Sequence, residues 1–245
     1  MRKFWEIVLL LGALSVGAGC GQAAGDGPED DDDGEGGGGD TLAGGGGEGD
    51  GARPPVEPCA GFATEVADVQ YGSGAGFGQD QMPGIALGPP RGGGETSGSL
   101  DVVSLGNGGV IVLGLGDQVL EDGDGPDFIV FENAFYAGGD PEAPFAELAT
   151  VEVSEDGETW AAFACEATEA PYGSCAGWRP VLAGAEGSSA SPHDPREAGG
   201  DPFDLADVGL ARARFIRITD RPDLTGLSGS FDLDAVALVH WTCAP

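Results

Sequence analysis

From residue 57 onward the sequence is a series of short apolar segments. Charged and apolar residues alternate in several of them, and clusters of Gly, Pro, Asp and Asn separate one segment from the next. Alternation with a period of two is typical of strands buried on one face, and such clusters end strands. The pattern predicts an all-β fold, an antiparallel β-sandwich, with strands at Phe62–Gln70, Leu100–Ser104, Val110–Leu115, Asp127–Asn133, Ala149–Ser154, Thr159–Cys165, Ala211–Asp220 and Phe231–His240.

Helical spacing is confined to two short stretches, Ala143–Ala149 and Asp204–Leu210, which are each about two turns long. Either Asp201 or Asp204 is expected to cap the second stretch, because an aspartate before a helix accepts a hydrogen bond from a free backbone N–H. The alternative is that these aspartates bind a metal ion.

The chain before this block has a different composition. Between Gly21 and Val56 it carries ten acids among many glycines and has almost no apolar side chain to bury. Such a segment cannot offset its ordering entropy, so it is expected to be disordered. We therefore predict a signal peptide at 1–19, a Gly/Asp-rich disordered tether at 20–56 and one β-sandwich domain at 57–245. The acidic run Glu29–Asp33 has a second interpretation, a tract that collects calcium.

The N-terminus has the order of a secretory signal. Arg2 and Lys3 precede an apolar run that is too short to span a bilayer, and small residues lead to Cys20. A cysteine after small residues resembles the lipobox of bacterial lipoproteins, which implies lipidation of Cys20 and attachment to the outer membrane or the cell surface. Gly17 stands where that family usually has leucine, so cleavage without lipidation, giving a secreted or periplasmic protein, is the alternative.

The charge balance excludes several classes of function. The net charge is −32, and Lys3 is the last lysine of the chain. A field this negative repels a phosphate backbone, so we expect no nucleic-acid partner. The missing lysines exclude a Walker A motif and Schiff-base catalysis in the rest of the chain.

Four cysteines follow the tether: Cys59, Cys165, Cys175 and Cys243. An even number in an exported protein favours two disulfides. Three pairings are possible, and we expect Cys59–Cys243 with Cys165–Cys175, since the first pair opens and closes the domain and the second flanks a short loop. The alternative, a zinc site, lacks the usual CxxC spacing.

The densest acidic segment lies at 121–127. Its carboxylates at Asp122, Asp124 and Asp127 are separated by Gly and Pro, and flexible acidic loops can converge oxygen atoms on a hard cation. These three residues are our candidate calcium ligands, although the segment does not match an EF-hand. The alternative is a solvated turn.

Exposed aromatic residues in predicted loops are candidates for sugar binding, because their faces stack on the apolar side of a pyranose. Tyr136, Tyr172, Trp178 and Arg179 form our candidate ligand-binding set. Trp178 has a second interpretation, in which it shields the Cys165–Cys175 disulfide.

The two final segments, Ala213–Asp220 and Phe231–Leu238, resemble the end of galactose-binding-like jelly rolls, the discoidin and carbohydrate-binding-module sandwiches. That resemblance implies a jelly roll in which Asp232 and Asp234 help to hold a structural calcium near the start of the domain. Ala235 stands where many of these proteins have a second aspartate. The segment Asp127–Phe135 also resembles a strand of uncharacterised bacterial surface proteins.

Catalytic signatures are weak. The chain has no Gly-x-Ser-x-Gly elbow and only two histidines, whereas a glycosidase needs only two carboxylates, which are abundant. We therefore predict a non-catalytic cell-surface module that binds an extracellular glycan or surface polymer and holds a structural calcium. The alternatives are a glycan-active hydrolase or lyase and a purely structural envelope protein.

Overall fold

The structure is a computed structural model that describes residue 53, residues 55–223 and residues 229–244. The signal peptide, Cys20 and most of the expected tether lie outside these residues. The described chain forms β1 (Glu65–Gln70), β2 (Val103–Ser104), β3 (Val110–Gly114), β4 (Gln118–Glu121), β5 (Phe128–Phe131), β6 (Phe135–Tyr136), β7 (Pro144–Phe145), β8 (Ala149–Ser154), β9 (Ala161–Ala162), β10 (Asp201–Phe203), β11 (Arg212–Ala213), β12 (Phe215–Asp220), β13 (Asp232–Leu233), β14 (Ala235–Leu238) and β15 (Trp241–Cys243).

Helices are short. Four 3-10 helices occur within the described ranges, at Gln79–Gln81, Gly84–Ala86, Ala137–Gly139 and Leu205–Val208. In the same ranges no helix has the length and apolar character needed to cross a bilayer.

One layer is a five-stranded antiparallel sheet in the order β1-β3-β12-β8-β9. Its central strand, β12, pairs Ile218 with Ile111 of β3 and with Val151 of β8. Buried and partly exposed residues alternate along β12, so Ile216 and Ile218 point to the same face. This alternation is the period-two pattern on which the strand prediction depended.

The second layer is organised by the C-terminal segment. Its three strands pair in turn with earlier ones: β13 with β2, β14 with β5 and β15 with β4, all antiparallel. β10 pairs with the other edge of β5. All residues of β5 and β14 are buried, because one face meets the five-stranded sheet and the other is covered by Phe62, Val181 and their neighbours.

The main core lies between the two layers. It joins Ile216 and Val151 of the first sheet to Phe128 and Val236 of the second. The predicted antiparallel β-sandwich is therefore confirmed. The expected helix at Ala143–Ala149 is wrong, since β7 pairs there with β6 and the chain then enters β8.

Two disulfides join Cys59 to Cys243 and Cys165 to Cys175, the predicted pairing. Arg53 lies within the range expected to be tether, yet its side chain is only 3% exposed. It donates hydrogen bonds to the carbonyls of Leu87 and Pro89 and to the carboxylate of Asp234. This part of the chain is thus fixed to the sandwich.

Candidate functional site

Tyr136 and Trp178 line the same surface groove. Tyr136 ends β6, where its backbone N–H donates to the Glu95 carbonyl at 2.7 Å. Trp178 follows the Cys165–Cys175 loop, and the carboxylate of Asp201 accepts from the backbone N–H groups of Gly177 and Trp178. The β6–β7 hairpin and a buried aspartate therefore fix the backbone of the two aromatic residues.

The groove has two cavities, and Tyr136 and Trp178 line both of them. The first, of about 380 Å³, is also lined by Glu95, Arg179 and Arg196. The second, of about 430 Å³, is lined by proline and alanine side chains together with one acid, Glu142. One cavity is thus rich in charged groups and the other is mainly apolar.

The position of Trp178 agrees with both interpretations considered from the sequence. It packs against the small apolar cluster that contains Cys165, Cys175 and Tyr172, so it covers the disulfide. It also lines the groove, and the Arg179 guanidinium lies 4.6 Å from the centre of its ring. Its indole Nε1 is buried without a hydrogen-bond partner in the described structure.

Tyr172 is placed differently from the other candidates. It is 8% exposed and meets Trp178 edge to face, with ring centres 6.1 Å apart. It lies beneath Trp178 rather than along either cavity. The structure therefore brings Tyr136, Trp178 and Arg179 together at the surface and leaves Tyr172 as packing below them.

Asp201 is a buried titratable group that contacts the backbone of Trp178. It is 2% exposed, and burial raises its pKa to about 7 against the lowering effect of the backbone N–H groups and of Arg179. The Arg179 Nε lies 3.8 Å from Asp201 Oδ1, which has no hydrogen-bond partner among the described residues. Asp201 therefore both holds the Trp178 backbone and lies under the Arg179 side chain.

A separate acidic group lies in the loop between β4 and β5. Asp122, Asp127 and Asp204 each offer one carboxylate oxygen, and these oxygens lie within 4.8 Å of one another. Asp127 is fully buried and accepts from Gly123 N, from Leu205 N and from His240 Nδ1 at 2.7 to 2.8 Å. The group could bind a metal ion.

Asp204 joins this group from the end of β10, which pairs with β5 beside Asp127. Its carboxylate also accepts from Ala206 N at 2.9 Å and caps the 3-10 helix, as expected for one of the two aspartates considered. Asp124 belongs to the same loop as Asp122 but is exposed and is not part of the group. Metal binding by Asp204 was an alternative, but its meeting with Asp122 was not predicted, because the contact joins segments that are far apart in sequence.

Asp232 and Asp234, the other two candidate calcium ligands, do not belong to the group of Asp122, Asp127 and Asp204. Asp234 is buried, accepts from Arg53 Nη2 at 2.6 Å and from Arg91 N at 2.8 Å, and has a pKa raised by burial to about 6. The charge next to the Asp234 carboxylate is thus the guanidinium of Arg53. Asp232 donates through its backbone N–H to the carboxylate of Glu132, a residue not among the candidate ligands.

Comparison with known proteins adds little. No known protein family matches the sequence, and no curated protein matches it. One solved structure, titled "Glycoside hydrolase", aligns with a TM-score of 0.25 and 16% sequence identity, over 58% of this chain and 22% of that one. The chain thus spans less than a quarter of that protein's length, and a likeness this weak does not bear on function.

Proposed function

We propose that this protein is a non-catalytic cell-surface module that binds a glycan along the groove of Tyr136, Trp178 and Arg179. The observation that carries the proposal is that Tyr136 and Trp178, which are far apart in sequence, line both cavities of one groove. The ligand therefore crosses these two aromatic residues with a part in each cavity.

The chemistry of the groove fits a sugar chain. Aromatic side chains contact the apolar faces of pyranose rings, and a few polar groups fix the hydroxyls. In the first cavity Arg179 can donate and Glu95 can accept hydrogen bonds, whereas the second cavity offers mainly apolar surface. Because the whole chain carries a charge of −32, we expect a neutral glycan to bind better than an acidic one.

The test compares two tryptophans in similar surroundings. Trp178 lies under Arg179, and Trp160 lies under Arg217 with 4.2 Å between the guanidinium carbon and the ring centre. Arrays of neutral polysaccharides identify those that retain the protein, and calorimetric titration with each of these polysaccharides gives the affinity. Trp178→Ala is expected to weaken binding by about 30-fold or more, as loss of a central aromatic contact does.

Trp160→Ala is the matched control, since Trp160 lines neither groove cavity. Equal loss of binding in the two variants contradicts the proposed groove. Release of reducing ends from a bound polysaccharide contradicts the non-catalytic part and favours the alternative, a glycan-active hydrolase or lyase. Absence of any polysaccharide ligand favours the structural envelope protein.

We further propose that Asp122, Asp127 and Asp204 bind a structural calcium ion. All three groups supply hard oxygen ligands, which Ca²⁺ prefers, and Asp122 is exposed enough for an ion to enter. Calcium is expected to raise the melting temperature relative to EDTA. Asp204→Asn keeps a good helix cap but is expected to reduce this shift, whereas Asp207→Asn in the same 3-10 helix is the control.

The two disulfides indicate an oxidising compartment, extracellular or periplasmic, for the folded part of the chain. We propose that lipidated Cys20 anchors the protein to the outer membrane or cell surface. The measurement is metabolic labelling with a fatty-acid analogue and fractionation of cells. Cys20→Ala is expected to abolish labelling and to release the protein from membranes, and labelling of that variant contradicts the anchor.

A further inference from the structure

The segment Gly229–Asp232 gathers carboxylates from three other parts of the sandwich. Phe231 N donates to Asp220 Oδ1 at 2.7 Å, and Asp232 N donates to Glu132 Oε1 at 3.3 Å. Gly229 lies against the carboxylate of Glu147, which occupies the place that a side chain on Gly229 would take. Four successive residues of an extended chain span about 10 Å, so the side chains that contact them lie in one region.

The resulting group consists of Glu132, Glu147, Asp220 and Asp232, which we name the buried acid cluster. Glu132, Asp220 and Glu147 are 2%, 4% and 9% exposed. Asp232 is half-buried. Glu132 Oε1 accepts from Asp232, which directs this carboxylate into the cluster, while Glu132 Oε2 is buried without any hydrogen-bond partner in the described structure.

The buried acid cluster has no counter-charge from the protein. No described arginine or histidine lies within ion-pair distance of its four carboxylates, since the ion pairs of the described residues all involve other acids. Residues 224–228, next to Gly229 in sequence, contain no basic residue. An uncompensated buried carboxylate is costly, so such groups neutralise by taking up protons or by coordinating a metal.

The charges also act on each other. The pKa of Glu132 is raised well above its usual value, first by burial and then by Glu147 and Asp232. Burial followed by the charges of Asp232 and Asp220 raises the pKa of Glu147 to about 8. These effects couple Glu132 to Glu147 and Asp232, and Glu147 to Asp220, in a group without a positive charge among the described residues.

We propose that Glu132, Glu147, Asp220 and Asp232 form a binding site for a divalent hard cation of the Ca²⁺ type. Carboxylate oxygens are the ligands such ions prefer, and the unpartnered Glu132 Oε2 supplies one of them directly. Among the described residues only the Asp122 group has three acidic oxygens mutually within 4.8 Å. The buried acid cluster is therefore wider, and ion binding draws Glu147 and the more exposed Asp232 toward Glu132.

This inference is independent of the glycan groove and of the Asp122 site, because it uses none of their residues. The experiment is calorimetric titration of chelator-treated protein with CaCl₂ at pH 7. Glu132→Gln/Glu147→Gln is expected to lose one equivalent of bound Ca²⁺. The matched control, Glu158→Gln/Glu169→Gln at two exposed positions outside the groove, is expected to bind as the parent does.

Asp122→Asn/Asp204→Asn separates this inference from the calcium site proposed above, since it is expected to leave the equivalent at the buried acid cluster intact. The proposal is overturned if the Glu132/Glu147 variant binds as many ions as the parent, or if the parent binds none and its charges are neutralised by protons alone.

Asp232→Asn is the second variant, because substitution of the deeply buried Glu132 can perturb the fold. This change is expected to weaken Ca²⁺ binding at the cluster at least tenfold while the melting temperature in EDTA stays the same or rises, since a like charge is removed. An unchanged affinity in a folded Asp232→Asn protein also overturns the proposal.

Discussion

The disulfide Cys59–Cys243 should be the larger of the two covalent contributions to stability. It closes a loop with a sequence separation of 184, whereas Cys165–Cys175 closes one of 10. A disulfide restricts the unfolded chain, and in the loop-entropy treatment its effect grows with the logarithm of loop length. The same treatment gives about 5 kcal/mol for the long loop and about 3 kcal/mol for the short loop.

The perturbation is removal of each disulfide in turn, Cys59→Ser/Cys243→Ser and Cys165→Ser/Cys175→Ser. Urea unfolding of both variants and of the parent gives the free energy of unfolding and its slope with denaturant. We expect the loss for the long loop to exceed that for the short loop by about 2 to 3 kcal/mol. The slope should also rise most when the long loop is opened, because the unfolded chain then exposes more surface.

An equal or larger loss for the short loop would refute the reasoning. Cys165 and Cys175 are buried with Tyr172 and Trp178, so their removal also disturbs packing, and that contribution would then exceed the chain entropy. Intact-mass measurement under alkylation checks that the remaining disulfide is formed in each variant.

Three further changes test single contacts. Asp201→Asn should flatten the pH dependence of stability. The folded pKa of Asp201, about 7, lies above the unfolded value, so the parent loses up to about 4 kcal/mol of stability as pH rises from about 4 to 7. Urea unfolding from pH 4 to 8 measures this, and a variant with the same pH dependence as the parent contradicts the prediction. Arg53→Ala leaves Asp234 buried without its guanidinium and should cost about 3 to 5 kcal/mol in urea unfolding at pH 7; a loss below 1 kcal/mol would show that the pair contributes little. Phe128→Ala removes a fully buried ring between the layers and should lower the free energy of unfolding by about 3 to 5 kcal/mol, as calorimetry or urea can measure; a small loss would mean that the core at Phe128 closes around the deletion.

The excess of acidic over basic residues favours the binding of cations by this protein. The chain has 42 acids against 10 lysines and arginines, so most carboxylates must be solvated, protonated or paired with something other than a side chain. Arg53 neutralises Asp234 and lies where the sequence resemblance implies a calcium near the start of the domain. Among the described residues no arginine lies in ion-pair contact with the Asp122 group, where Asp127 meets only His240, or with the buried acid cluster, so a divalent ion would supply the missing positive charge at both places.

The fold was largely predictable because it depends on local patterns. Alternation in Phe215–Asp220 and the continuous apolar run at Phe128–Phe131 are strand signals that the pairing of β12 and β5 confirms. The expected helix at Ala143–Ala149 failed because Pro144 and Phe145 find partners in β6, and a strand pairing of this kind is not visible in the local sequence.

The candidate site was only partly predictable. Aromatic residues in loops were identifiable, and the structure brings Tyr136 and Trp178 to one groove. Tyr172 has the same sequence signal, yet it is buried under Trp178, because it lies within the Cys165–Cys175 loop and packs with the two cysteines. Glu132 could have been noticed as a charge directly after four buried apolar residues, but no such signal marks Glu147 or Asp220.

The sequence by itself determined the all-β class, the even number of cysteines after the tether and the shortage of positive charge, since periodicity, cysteine count and composition are properties of the chain. Only the tertiary structure decided which acids meet. Asp204 joins Asp122, and Glu147 joins Glu132, through contacts between segments far apart in sequence. Coulomb energy and desolvation depend on distance and burial in three dimensions, and neither quantity can be obtained from residue order alone.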